Sequence, residues 1–499
     1  MNIKEFKMHL LRAFCVVLVL SLFSSCNKWL DVHPSTQTTE SQQFSSQQGY
    51  IDALIGVYQQ MAENDSYGKE LSFGMMDVLA QLYLNKASQT ANVYGQLARY
   101  NYIDASVEAS IARVWSKQYN IIAQSNYILK DIDNNRQLFT GVYYNLVKGE
   151  ALAIRAMAHF DLLRLFAPSL TALPSAGQKT IPYIEAFSVQ PSRALAFQEV
   201  IDRIVADLKE AEELLSVYPR IDPIAANAGS TSLELFPMFR QNRLNYWATK
   251  AILARVYLYN NNKEEALTYA KQVIDSQLFP FANGSNLNTN PAADNSNTIF
   301  SSEHIFSIYR SDLKLLSDEL FKTEATTAEA ADLFTTEAIL NGIYERTLTG
   351  YGSDIRGLEA SARRWNVFNT GTVFSTKYYV GGTGVNNPNQ RLIPVVRLPE
   401  MYYIAAEASP SIAEGVAYLN TVRQARLIPV LDPAIVNTAT LLDNELFKEY
   451  RKEFYAEGQL WFYYKRKNTL TLQNSVGGTM SNAKYVFPLP QSEIEFGLN

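Results

Sequence analysis

The chain has 499 residues, a formal net charge of −5 and two cysteines, Cys15 and Cys26. An acidic balance argues against nucleic acid or an anionic membrane surface as ligand, and two cysteines leave no room for a disulfide framework or a multi-thiolate metal site. With 30 Tyr, 25 Phe and 5 Trp, aromatic rings are the unusual resource, and the length is enough to bury one or two large cores.

At the N-terminus Lys4, Lys7 and Arg12 precede the apolar run 13–23, and Ser24-Ser25 place small side chains before Cys26. This is the pattern of a secretory signal, too short to span a bilayer. Because it ends at a cysteine that leads into the polar segment STQTTESQQFSSQQ, it resembles a bacterial lipoprotein signal, in which the chain is cut before the cysteine and the thiol carries lipid. Residues 1–25 are thus expected to be removed and 26–48 to form a tether lipidated at Cys26; the alternative is an ordinary secreted or buried cysteine. Each buried acyl methylene contributes about 0.8 kcal/mol, so two or three chains would hold the protein on a membrane without spanning it. Removing the signal also removes a net +2 and leaves −7. No later run approaches the roughly 18 apolar residues of a membrane-spanning helix, and none is expected.

Residues 49–499 read as helical. SQQGYIDALIGVYQQMAEN and IARVWSKQYNIIAQSNYILKDIDN carry apolar residues at helical spacing. YYNLVKGEALAIRAMAHFDLLRLFAP is apolar around most of its circumference, which places it in the middle of a bundle, and Pro168 stops it. FQEVIDRIVADLKEAEELLSVYP is amphipathic. In 246–275, Leu253, Ala254, Tyr257, Ala266, Ala270 and Val273 fall at tetratricopeptide-repeat spacings, whose small residues let two antiparallel helices approach closely. Residues 400–426 suggest a second, looser pair. The inserts 222–242, 280–298 and 369–390 are rich in Asn, Gly, Thr and Ser, and HIFSIYR and STKYYV could be short strands. The expected class is mainly α: a helical scaffold with tetratricopeptide-type pairs, plus a loop-rich region with a few short strands, its ligand-binding inserts lying near 83–110, 222–242 and 280–390.

Catalytic patterns do not emerge. Past the signal the histidines are His33, His159 and His304, far apart, and His159 sits on the buried helix as a satisfied core histidine. GGTGVNN (381–387) lacks the lysine of a phosphate loop, and DNSNTIFSSE lacks the glycine of a calcium loop. Glu445, Glu449, Glu453 and Glu457 lie at four-residue spacing, which suggests a solvated or ion-paired helix face. Glu407 and Arg423 are placed to form a buried ion pair. No cofactor and no metal are expected.

Taken in order, several segments resemble the SusD/RagB family of outer-membrane nutrient-binding lipoproteins. The resemblance rests on Cys26 with Trp29-Leu30-Asp31 and Pro34, RAMAHFDLLRLFA with IPYIEAF, ATKAILARVYLYNNNKEEALTYAKQVID, EHIFSIYR, RLPEMYYIAAEA with LNTVRQAR, EYRKEFYAEGQLWFYYKR and YVFPLPQSEI. It covers nearly the whole chain. Leu460 and Tyr463 stand where many members carry Arg and Asp, which marks a subgroup.

The resemblance implies a non-catalytic lipoprotein of the cell outer membrane, facing the exterior, that captures oligosaccharides and delivers them to a SusC-like TonB-dependent transporter. Its ligand is implied to lie on loops, with rings on sugar faces. Candidate ligand-binding residues are Tyr83, Tyr94, Tyr100, Asn101, Tyr102, Tyr309, Tyr351 and Trp365, while Trp115, Trp247 and Trp461 are assigned to the core. The competing readings are capture of peptides by the same architecture, a surface glycoside hydrolase, and a purely structural helical adaptor.

Overall fold

In the computed structural model the described residues are 8–9, 40–84, 92–187, 192–221, 236–282, 297–321, 333–357, 364–369, 371–378 and 388–496. Cys26, most of the signal and tether, and the glycine turn 381–387 lie outside them. The chain falls into two units, 1–45 and 46–499. In the first, Glu40–Gln43 form one helical turn; everything below concerns the second, which is mainly α-helical with a few short strands.

Its first helices are α1 (Gln47–Met61), α2 (Met75–Leu79), α3 (Val93–Ala98), α4 (Ala105–Asp131), α5 (Tyr143–Phe166) and α6 (Phe197–Leu215). Ser46 and Asp104 accept backbone N–H bonds at the starts of α1 and α4, caps worth about 1 kcal/mol each. The stretch 83–110, expected as a loop-rich insert, instead contains α3 and the first turn of α4.

Helix α5 is the axis. From Gly149 to Phe166 every residue is buried, as a helix apolar around most of its circumference requires. It packs between α4 and α6. At Gly149 a Cβ would sit 2.7 Å from Leu215 Cγ, so the α5–α6 approach depends on the missing side chain. Arg155 then fixes the pair: its Nε and Nη2 donate to the two Asp207 oxygens at 2.7 and 2.8 Å, and its Nη1 to Asn126 of α4 at 2.9 Å. His159 is the core residue its setting suggested. Its Nδ1 donates to Arg155 O and its Nε2 accepts from Ile184 N, both at 2.9 Å. Burial holds its pKa down at about 3.

The tetratricopeptide-type pairs follow as α7 (Tyr246–Tyr259) with α8 (Lys263–Asp275), and, beyond an inserted region, α11 (Leu398–Ala408) with α12 (Ile412–Ala425). Leu253, Ala254, Ala266, Ala270 and Val273 are fully buried, and α8 packs on α11, so the two pairs stack. Of the three tryptophans assigned to the core, Trp115 and Trp461 are buried. Trp247 is only half-buried, because its Nε1 reaches out to Pro219 O at 2.8 Å.

The inserted region holds β1 (His304–Tyr309), α9 (Leu313–Phe321), α10 (Glu337–Ile343), the β2 (Trp365–Asn369) and β3 (Thr372–Ser375) hairpin, and β4 (Leu392–Arg397). β1 pairs antiparallel with β4, with Ser307 opposite Pro394; a proline is tolerated in a two-stranded ribbon because both strands are edges. HIFSIYR is therefore a strand up to Tyr309, whereas in STKYYV only Ser375 among the described residues belongs to one, and 379–380 lie outside them.

After α12 come α13 (Ala439–Glu453) and α14 (Gln459–Arg466). The glutamate stripe of α13 is ion-paired, and its central members are buried rather than solvated. Glu453 accepts from Arg356, Arg397 and Arg426 at 2.7–2.9 Å. Glu449 accepts from Arg356 at 3.0 Å and from Arg423 at 2.9 Å. Glu303, next to β1, joins Arg397 and Arg426 to the same network. The expected Glu407–Arg423 pair is not formed. Glu407 instead receives both Nη atoms of Arg466 at 2.6 Å, because α11 turns it toward the end of α14 while Arg423 faces α13. Leu460 and Tyr463 are both buried, the latter against Tyr450 at 4.4 Å.

Candidate functional site

A cleft of about 1030 Å³ opens between α1, the turn 239–243 before α7 and the connection from β1 to α9. That is the upper end of the size of small-molecule sites and enough for an oligomer rather than a single ring. A shallower depression of about 390 Å³, bordered by Arg113, Lys117 and Asn120 of α4, shares Asp65 with it and continues it.

Each wall is built by local chemistry. Tyr309 ends β1 with its ring 44% exposed and its hydroxyl accepting from Arg391 Nη1 at 2.8 Å. Next to it, Arg310 grips Asp312 through Nε at 2.8 Å and Nη2 at 3.1 Å, and its Nη1 donates to Asn64 Oδ1 at 2.7 Å and Gly68 O at 3.1 Å. The opposite wall is a 3-10 turn that begins at Phe239, a non-glycine residue in the left-handed region with φ 53°. This costly conformation is held from several sides. Asn245 Nδ2 donates to Arg240 O and Ile305 O, at 2.9 and 3.0 Å, and Gln241 Nε2 donates to His304 O at 2.7 Å.

The floor is electrostatically uneven. Glu150 of α5 lies 2.6 Å from Arg240 Nη1 and accepts the Tyr58 hydroxyl at 2.7 Å, and that hydroxyl accepts from Leu244 N at 2.9 Å. Burial, with Glu150 beside it, pushes the Tyr58 pKa up, so Tyr58 stays a donor. Arg243 lies between the rings of Tyr58 and Phe236, its guanidinium 4.9 and 4.8 Å from their centroids. Its Nη1 is buried with no hydrogen-bond partner, and so is Oδ1 of Asn242 beside it. Among the described residues the acids of the cleft are all paired: Glu63 with Lys117 at 2.7 Å, Asp65 with Arg113 at 3.2 Å, and Asp312 with Arg310.

Of the residues singled out from sequence, only Tyr309 lines this cleft. Tyr83, Tyr94, Tyr100 and Tyr102 are packed in the core. Tyr83 donates to Phe73 O at 3.0 Å and meets Tyr455 edge-on; Tyr94 donates to Glu70 at 3.2 Å. Tyr100 stacks on Trp461 and donates to Leu79 O at 3.0 Å, and Tyr102 donates to Lys484 O at 2.6 Å. Asn101 is half-buried and donates to Gln96 Oε1. Tyr351 is half-buried and accepts from Arg423 Nη2 at 2.6 Å, and Trp365 is half-buried with its Nε1 on Arg356 O at 3.0 Å. Sequence reading missed Tyr58, Asn242 and Arg243. The run FRQNRLNY (239–246), two arginines and two asparagines packed before a helix, was the available signal.

Comparison with known proteins places the architecture. Residues 28–258 match the family described as "Starch-binding associating with outer membrane", and residues 341–485 match the SusD family. Among curated proteins, SusD-like proteins P25 and P38 of Formosa agariphila are each 22% identical, over 52% and 55% of this chain. The chain spans about half the length of these relatives, 45% and 47%. Among solved structures, a SusD superfamily protein of Bacteroides thetaiotaomicron superposes with a TM-score of 0.69 at 17% identity, covering 91% of this chain and 98% of that one. A SusD-like carbohydrate binding protein of Bacteroides vulgatus gives 0.66 at 16%, covering 91% and 96%, and a laminarin binding SusD-like protein gives 0.61 at 17%, covering 91% and 98%. With both halves matched by family models and the fold shared nearly end to end, this chain belongs to the SusD/RagB family.

Proposed function

We propose that the protein is a non-catalytic, lipid-anchored binding protein of the outer membrane, attached through Cys26, that captures oligosaccharides in the cleft at Tyr309 and passes them to a SusC-like TonB-dependent transporter. The observation that carries the binding step is an exposed tyrosine ring beside unpaired hydrogen-bonding groups in a cleft of oligosaccharide size. A pyranose has an apolar C–H face and a rim of hydroxyls, which a flat ring and groups such as Asn242 Oδ1 complement. Two structural relatives named for carbohydrate or laminarin binding and a family described by starch binding at the outer membrane support the same class of ligand and location. An open site leaves little net free energy after ordering, so affinity in the micromolar to millimolar range is expected. Weak binding suits a protein that hands its ligand on.

A hydrolytic role is disfavoured by the cleft's own acids. A general acid needs a raised pKa, whereas the hydrogen bond and charge of Arg310 hold Asp312 below the usual carboxylate range, and Glu63 and Asp65 are ion-paired.

The test is affinity electrophoresis of the full-length chain in detergent against laminarin, starch and other polysaccharides, and against peptides by calorimetry. Retardation by a glycan without product release, weakened about fivefold or more in Tyr309→Ala, is the expected result. Peptide binding without glycan binding would replace the ligand class, and shortened glycans would replace binding by hydrolysis.

A further inference from the structure

Most charges around the cleft cancel locally, and one does not. Glu63, Asp65 and Asp312 each have a cation within 3.2 Å, and Arg310 is engaged by Asp312, Asn64 and Gly68. Arg243 alone among the charged residues lining the cleft makes no hydrogen bond or ion pair with the described residues, and its Nη1 is buried without a partner. Its one carboxylate neighbour, Glu150, is held by Arg240 at 2.6 Å and Tyr58 at 2.7 Å. A guanidinium cannot give up its proton to relieve this, and an unpaired buried charge is costly. Burial, and Arg240 behind it, work against the charged form, with Glu150 and Tyr58 opposing. The fork is also restrained, since the Tyr58 and Phe236 rings both lie against the guanidinium, 4.9 and 4.8 Å from their centroids, so less ordering entropy is lost when its donors meet an anion.

We propose that the cleft selects an acidic saccharide, one whose sugar ring carries a carboxylate or a sulfate ester, and that Arg243 is the residue that reads the anion. This rests on the oligosaccharide reading above and adds the substrate class. Asn242 Oδ1, an acceptor without a donor, takes a hydroxyl of the same ring, and the Tyr309 ring covers an apolar face. The chain is acidic overall, so selection comes from this local pair and not from long-range attraction.

The experiment is calorimetry on the full-length chain in detergent with four probes of equal length: a trigalacturonate, its methyl ester, a sulfated galactose trisaccharide and laminaritriose. The expected result is that the trigalacturonate or the sulfated probe binds at least about tenfold more tightly than its uncharged counterparts. The two charged probes separate carboxylate from sulfate. Arg243→Met should erase that preference, Arg243→Lys should keep part of it, and Tyr309→Ala should weaken every probe. Because the comparisons of the charged with the uncharged probes use the unaltered protein, they decide the matter even if Arg243→Met does not fold. Equal affinity for the acid, the sulfate and the neutral probes, all lowered by Tyr309→Ala, overturns the acidic class and leaves the glycan site standing. Binding of none of the four, charged or neutral, overturns the site and the acidic class together.

Discussion

Glu453 carries more of the buried charge than any other acid of α13, accepting from three arginines that arrive from three separate parts of the chain, before β2, at the end of β4 and after α12. Those arginines hold its carboxyl far below the usual carboxylate range against the opposing effect of burial. Neutralising it strands three guanidiniums with one acceptor fewer. Glu453→Gln is therefore expected to cost about 3–5 kcal/mol in urea unfolding, whereas Glu445→Gln, whose hydrogen-bonded partner Lys448 is 40% exposed and whose contact with Arg423 is a long 3.8 Å, should cost under about 1 kcal/mol; equal effects would mean the central network contributes nothing beyond such peripheral pairing. The sequence spacing made the glutamates visible as a row but gave no sign of their burial, because their partners lie up to 97 residues away along the chain. The site suffered similarly. Tyr94 and Tyr309 both occur in polar stretches, and only tertiary packing separates the one bonded to Glu70 in the core from the one left 44% exposed. Arg243 was invisible for the same reason, since a missing partner cannot be read from composition.

Elements were far more legible than sites. The circumference of α5 and the alanines of α7 and α8 each depend on local spacing, and each element formed where that spacing placed it. Where the expectation failed, as in 83–110, short helices had too little periodicity to stand out from loop composition. The run RAMAHFDLLRLFA has a structural role, for its Arg155 ties three helices together through Asp207 and Asn126. Removing the guanidinium leaves Asp207 buried with, among the described residues, only the Tyr183 hydroxyl donating to it. Arg155→Met should lose about 3–5 kcal/mol in urea unfolding, and Arg203→Met, which breaks a half-exposed pair with Glu185, under about 1 kcal/mol. A loss at Arg155 no larger than that at Arg203 would deny the clamp its place.

At the scale of the molecule, four buried groups give folding a common pH dependence. His159 and His304 are held neutral by burial, each with a pKa lowered from 6.5 to about 3. Glu407 and Glu449 are held charged, by Arg466 in one case and Arg356 in the other, each lowered from 4.5 to about 2 in spite of burial. All four bind protons more weakly folded than unfolded, so acid favours the unfolded chain. For the histidines the loss begins as pH falls through the unfolded value near 6.5 and continues to about 3, at roughly 1.4 kcal/mol per pH unit each. The carboxylates add to it only below about 4.5. The two histidines should thus lower stability, measured by urea unfolding, by about 3 kcal/mol per unit between pH 6 and 4.5, a fall that Asp77 opposes because burial raises its carboxyl pKa well above the usual value, while Lys465, whose pKa burial lowers, adds a rise with pH on the alkaline side. Replacing both, His159→Gln with His304→Gln, lowers stability at pH 7 through lost packing but flattens the limb between pH 6 and 4.5, which separates titration from packing. A wild-type profile already flat across that interval would mean the two imidazoles are protonated in the folded protein, and the hydrogen bond from Ile184 N to His159 would then have to be broken.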